Sequence, residues 1–175
     1  EKATLFDSQF AVAYFNWGLL LFNKGNYSLA GEKFRKAIDI NADYAEAFLQ
    51  LGIINEILCE HAHAIEYLRK AIDIKPEYIE AISKLASVLR HCGYLEEAII
   101  TYQRALTLNP QHTNSIAGLG WSFIESIDPQ PGILYYNELL SRSPNDGDAL
   151  FFLFELTRGG LHRKLVQRFS YSSQF

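Results

Sequence analysis

Apolar residues recur along this chain in a pattern with a step of 34 residues. Tyr14, Trp17 and Leu21 are spaced three and four apart and make one apolar helix face. That face returns as Phe48, Leu51 and Asn55, then as Ile82, Leu85 and Leu89, then as Ile116, Leu119 and Phe123. Three further columns keep the same step. Gly18, Gly52, Ala86 and Gly120 form one, and Ala30, Ala64, Ala98 and Gly132 the second. Large residues hold the third, at Phe34, Leu68, Tyr102 and Tyr136. Ala37, Ala71 and Ala105 begin another column that Leu139 breaks. The run from Arg35 to Ile40 recurs unchanged from Arg69 to Ile74.

Each column predicts a piece of structure. Small residues let two helices approach closely, so Gly52 and Ala64 are expected to face each other across one hairpin. Turn residues divide each unit into two helices, at Lys24-Gly25-Asn26, His91-Cys92-Gly93 and Asp128-Pro129-Gln130-Pro131. In the last, Asp128 is expected to cap the second helix with Pro129 at its first position. Pro76, Pro110 and Pro144 close three units, and Ala42 stands in the first. Proline cannot continue a preceding helix, so each hairpin should end there.

This pattern resembles the tetratricopeptide repeat family, whose signature is W-x2-L-G-x2-Y, then A-x3-F, then a closing proline. Four units match, at residues 11–44, 45–78, 79–112 and 113–146, the fourth being the most divergent. A fifth first helix begins at 147, with Leu150 and Leu153 in register, but Phe154 falls where the small residue belongs and Gly159-Gly160 interrupts. Residues 161–169 read as a short terminal helix, so 147–169 is taken as a cap. Phe151, Phe152 and Phe154 make that cap unusually apolar. Either it is buried, or the natural chain continues past it, or it meets a partner. The resemblance implies an all-α, right-handed superhelical solenoid of stacked antiparallel helix hairpins.

The resemblance also implies a concave groove lined by the second, fifth, ninth and twelfth positions of each unit. Unit one offers Val12, Phe15, Leu19 and Phe22; unit two offers Glu46, Leu49, Ile53 and Glu56. Unit three offers Glu80, Ser83, Ser87 and Arg90; unit four offers Asn114, Ala117, Trp121 and Ile124. The residues expected to touch a partner are Phe15, Leu19, Phe22, Leu49, Ile53, Ser87, Arg90 and Trp121, as apolar anchors followed by a polar stretch and a Trp. The competing reading is that residues 1–10, or a missing segment, cover Phe15 and Phe22. Some members of the family clamp the C-terminal carboxylate of heat-shock chaperones with Lys and Asn. Here Phe15 and Leu19 stand where Lys and Asn would be, and Ser83 and Ser87 where Lys and Arg would be, so that set is lacking. The Asn ladder of the O-linked N-acetylglucosamine transferases is lacking too, since its column reads Asn16, Gln50, Lys84 and Gly118.

Charge and chemistry narrow the picture further. Sixteen basic and twenty acidic residues give a net charge of −4, which makes no case for nucleic acid or an anionic membrane. No apolar run approaches the ~18 residues a membrane span needs. Two cysteines make no disulfide framework, and a reducing, cytoplasmic setting is the expectation. The chain starts at Glu1 and contains no Met, and is read as a piece of a longer protein or a processed product. Cys59, His61, His63, His91 and Cys92 are the metal-ligating types nearest each other, but their spacing matches no zinc motif. Asn26-Tyr27-Ser28 fits a glycosylation sequon and is discounted without a secretory signal. Glu96-Glu97 sits where a helix N-terminus favours acids, so catalysis need not be invoked. No cofactor is expected. The expected function is a non-catalytic scaffold or adaptor holding a peptide or protein partner. The alternative is the substrate-recognition domain of a larger enzyme such as a glycosyltransferase, and a third possibility is self-association through the apolar cap.

Overall fold

The computed structural model describes residues 2–158, with side chains from residue 9 onward. Among them all regular structure is α-helical. The order is α1 Lys2–Asn23, α2 Tyr27–Ile40, α3 Ala45–Ile57, α4 His61–Ile74, α5 Ile79–His91, α6 Leu95–Leu108, α7 Thr113–Glu125 and α8 Gln130–Arg142. A further helix, α9, covers 147–158. The chain divides between Cys92 and Gly93 into two compact units. The short terminal helix expected at 161–169 lies outside the described residues.

In the first unit α1 packs on α2 and α3 on α4, while α2–α3 and α4–α5 contacts stack the pairs. The close approaches sit where the small-residue columns put them. A Cβ on Gly18 would lie 2.6 Å from the Phe34 ring, and one on Gly52 would lie 2.6 Å from Leu68 Cγ. Gly52 therefore faces Leu68 first and meets Ala64 through its carbonyl oxygen, at 3.4 Å. Ala30, Phe34, Leu51 and Ile54 form a buried cluster between α2 and α3, with Phe15, Leu19, Leu21 and Phe22 packed against it from α1. Each such large side chain contributes about 1.5–3 kcal/mol by leaving water.

Two readings of the sequence meet the structure here, the competing one for residues 1–10 and the apolar face that holds Trp17. Residues 2–10 continue α1 as one helix, so that segment does not fold back over Phe15 and Phe22. Trp17, on the apolar face that the sequence pattern marks for packing, is 50% exposed. It stacks on Tyr14 at 6.4 Å between centroids, and Lys33 Nζ lies 4.2 Å over its ring. Leu51, at the same register, is buried because α2 of the preceding pair lies against it. Among the described residues no helix pair precedes α1, so Trp17 has no equivalent cover.

The turns explain another column. Gly25 and Gly93 have φ of 78° and 81°, the left-handed region that glycine enters without steric cost. Cys59 occupies the same register with φ 60° and pays that cost with a full side chain. Between units the chain is closed by short Asx turns, with Asp43 N–H donating to Asn41 Oδ1 and Gln111 N–H to Asn109 Oδ1.

The second unit, α6 to α9, packs differently. α7 lies along α6, and the Tyr102 ring sits against Gly118. α7 and α8 approach each other far more sparingly than the two helices of either hairpin in the first unit. Gly120 receives Phe152 of α9, not Tyr136 of its own hairpin. Tyr136 stacks on that same Phe152, 5.6 Å between centroids and 20° between planes. Asp128 does serve the start of α8, but one residue later than expected: its Oδ1 accepts Gln130 N–H at 2.9 Å, and the helix begins at Gln130.

Candidate partner-binding site

α1, α3 and α5 alternate with α2 and α4 in the first unit, so their outer faces carry the residues singled out from the sequence. Phe15, Leu19 and Phe22 stand on α1 and are half-buried. Phe15 lies 4.9 Å from Tyr44 and 5.5 Å from Phe34 between centroids, and Phe22 meets Tyr27 edge-on at 5.3 Å. These rings are held by their own hairpin, with one side left open. On α3, Ile53 is half-buried, whereas Leu49 is only 6% exposed and supports the face from beneath. On α5, Ser87 and Arg90 are half-buried, and Ser83 is buried.

Beyond Ile53 the face becomes charged. Glu56, mostly buried on α3, lies 3.2 Å from Lys84 Nζ and 3.7 Å from His91 Nδ1. Arg90 Nη2 donates to His91 Nε2 at 3.1 Å. Arginine can only donate, so in this arrangement Nε2 accepts and the His91 proton sits on Nδ1, facing Glu56. The Glu56 carboxylate thus faces both Lys84 and His91, with Arg90 joined through His91, and the two cations Lys84 and Arg90 outweigh the single carboxylate. At the opposite end of the α3 and α5 first turns, Glu46 pairs with Lys75 at 3.8 Å. Burial, and then Glu46 and Glu80, push the Tyr78 hydroxyl up to about 12, so it is a neutral donor at physiological pH. Burial and then Glu46 raise Tyr44 in the same direction.

Sequence reasoning had placed Lys84 and His91 elsewhere, the first in the column of an absent Asn ladder and the second among possible metal ligands. The signal that joins them is the spacing of Glu56 to Lys84 and His91 across two consecutive first helices. Among the described residues no three His, Cys, Asp or Glu side chains are gathered as a metal site. Cys59 is exposed, Cys92 is partly buried, and both are free thiols. Trp121 lies in the second unit, 44% exposed, with its ring edge-on to Phe151 at 6.5 Å and to Phe152 at 6.0 Å.

Models described as tetratricopeptide repeat match residues 11–44, 45–78 and 79–112. The chain belongs to the tetratricopeptide repeat family. No curated protein sequence matches it. Solved structures share the tetratricopeptide fold at low identity. The crystal structure of MamA protein is similar with a TM-score of 0.70 and 23% identity, over 93% of this chain and 89% of that one. The second TPR domain of the human RPAP3 protein, in complex with an HSP70 peptide, is similar with a TM-score of 0.64 and 19% identity, over 66% of this chain and 97% of that one. An O-GlcNAc transferase mutant from Thermobaculum terrenum is similar with a TM-score of 0.67 and 22% identity, over 78% of this chain but only 26% of the enzyme's. Among the described residues no helix of this tetratricopeptide repeat protein is long and apolar enough to cross a membrane.

Proposed function

We propose that this tetratricopeptide repeat protein is a non-catalytic scaffold that holds an extended segment of a partner protein against α1, α3 and α5. The observation that carries the reading is the half-buried row Phe15, Leu19, Phe22 and Ile53, which runs into the basic network of Lys84, Arg90 and His91 around Glu56. Half-buried rings fixed by their own hairpin are already ordered, so a partner that covers their open sides gives up little entropy. Ser87 lies beside the charged end and offers a hydroxyl. Trp121 is a separate anchor in the second unit. Peptide binding by the human RPAP3 domain supports the general mode. The chemistry differs, because aromatic and aliphatic side chains fill the positions a carboxylate clamp would use. Two free thiols fit a reducing compartment such as the cytoplasm.

The test is titration of a partner captured from the native extract against single variants. Each apolar anchor contributes about 1.5–3 kcal/mol, a ten- to hundredfold change in affinity. Phe15→Ala and Ile53→Ala are expected to weaken binding at least tenfold while the chain stays folded. The apolar share of binding survives raised salt, whereas the share that depends on Lys84 and Arg90 falls with it. Normal binding by both alanine variants would move the site off this face.

A second reading is the substrate-recognition part of a larger enzyme, such as a glycosyltransferase. The fold likeness to a quarter of the Thermobaculum terrenum enzyme favours it. The full open reading frame decides, since that reading needs a catalytic domain on the same polypeptide.

A further inference from the structure

The second unit contains a cavity of about 340 Å³ among α6, α7, α8 and α9, within the size range of small-ligand sites. Leu106, Ile116 and Leu139 supply aliphatic wall, and the polar lining includes Tyr136, Asp146 and Asp148 together with Gln111, Ser143 and the edge residue Arg142. Leu139 stands where Ala37, Ala71 and Ala105 stand in the other repeats, and those alanines are fully buried in close helix contacts. Gly132 of α8 packs tightly on Phe123 of α7, where a Cβ would lie 2.8 Å from Phe123 Cβ, so the open space lies further along α8, on the Leu139 side.

Tyr136 makes the cavity more than a packing gap. Its residue is 1% exposed, and its hydroxyl has no hydrogen-bond partner among the described residues. Buried polar groups in native proteins are almost always paired, so an orphaned hydroxyl asks for an explanation. Burial, then Tyr135, Asp148 and Asp146, push its pKa far above the ordinary tyrosine value. The hydroxyl is therefore neutral, and Asp146 and Asp148 line the same cavity as Tyr136. A neutral hydroxyl beside two carboxylates offers acceptors to a cationic donor. Arg142 does not satisfy them: it is held by Glu138 at 2.6 Å and stands mostly in solvent.

We propose that this cavity binds a primary alkylammonium group, presented as a lysine side chain of a partner protein. The stem of a lysine is aliphatic and suits the Leu106, Ile116 and Leu139 wall. Its ammonium has three donors, one for the Tyr136 hydroxyl and two for Asp146 and Asp148. Asp146 already accepts Ala149 N–H at 2.9 Å through Oδ1, and the carboxylate keeps capacity for a further donor. An anion is disfavoured by the two carboxylates, and a neutral apolar ligand would leave the hydroxyl unpaired.

The experiment uses the full chain and titrates a blocked Gly-Lys-Gly peptide, its norleucine analogue and cadaverine by calorimetry. The lysyl peptide is expected to bind saturably, and the norleucyl peptide at least tenfold more weakly. Tyr136→Phe keeps the ring that stacks on Phe152 and removes only the hydroxyl. It is expected to weaken the lysyl peptide about tenfold with a melting temperature unchanged or higher. Should that variant fail to fold, exposed Asp148→Asn carries the same test and the same expected loss. Equal binding of lysyl and norleucyl peptides, or no saturable binding of the lysyl peptide, overturns the proposal. Tight binding of cadaverine without the peptide overturns its assignment to a protein partner.

Discussion

In the first two hairpins a glycine on the first helix receives the large residue of its own second helix, Phe34 at Gly18 and Leu68 at Gly52. In the fourth, Gly120 receives Phe152 from the helix that follows, and Tyr136 lies on that ring instead. The same small–large code thus produces two different packings. The difference traces to two positions. Leu139 replaces the alanine that the other repeats bury at this position of the second helix, and α9 carries a phenylalanine at its sixth position. Hairpins one and two hold themselves together, whereas hairpin four depends on α9.

That dependence is the sharpest point to attack. Phe152 is buried and touches Gly120, Tyr136, Trp121 and Phe151. Phe152→Ala is expected to cost about 3–5 kcal/mol, the usual toll for a core aromatic. Gln50 stands at the same register on α3 and is only half-buried. Gln50→Ala should stay within about 0.5 kcal/mol. Chemical denaturation of the two variants checks this, and equal losses would mean that α9 is not the support of hairpin four.

A second pair tests the array's described start. Leu51→Ala removes a fully buried side chain and should cost about 2–5 kcal/mol. Trp17→Ala, at the same register, removes a half-exposed ring with a stacking partner and one cation above it, and should cost about 1 kcal/mol or less. A thermal melt in which Trp17→Ala is the more damaging would show that its outer side is covered in solution.

The pair also shows what could be read from sequence. The 34-residue step announced the hairpins, the glycine approaches and the buried alanines, because those depend on contacts that every unit repeats. Trp17 fits the pattern as well as Leu51 does, but burial at that register comes from the preceding pair. Leu49 and Phe15 look equally groove-facing by position, yet Leu49 is nearly closed over and Phe15 is not. Side-chain neighbours decide that, not period. The exchange of Tyr136 for Phe152 at Gly120 was the least legible. It requires weighing a leucine in one column against a phenylalanine in another, across different helices. The basic network around Glu56 was legible only as separate residues, since each belongs to a different column.

Gly52→Leu probes the packing that hairpin four has abandoned. A Cβ there already falls 2.6 Å from Leu68 Cγ, so a leucine must push α3 and α4 apart. Overpacking of this kind costs about 1–3 kcal/mol. Gly147, at the start of α9, has open space around its would-be Cβ. Gly147→Ala should instead stabilise by about 0.4–1 kcal/mol through the unfolded chain. Melting both variants gives opposite signs if the space around each glycine is as described.

The smallest expected effect separates the turns of the same hairpins. Cys59 holds φ at 60°, in the register where Gly25 and Gly93 sit at 78° and 81°. A side chain in the left-handed region costs roughly 1–2 kcal/mol. Replacing it with glycine removes that cost but adds about 0.4–1 kcal/mol of unfolded-state entropy to be lost on folding. The two opposing terms leave Cys59→Gly more stable by about 0.5–1 kcal/mol. Ile127 occupies the corresponding position of the fourth hairpin, is 96% exposed, and has no positive φ. Its turn is shaped by Pro129 and the Asp128 cap instead. Ile127→Gly should therefore bring no gain, because only the entropic term applies. Denaturant midpoints measured side by side resolve a difference of this size when the slopes are unchanged. A stabilised Ile127→Gly would mean that the fourth turn adopts the left-handed form in solution, and that its hairpin departs from the others in packing alone.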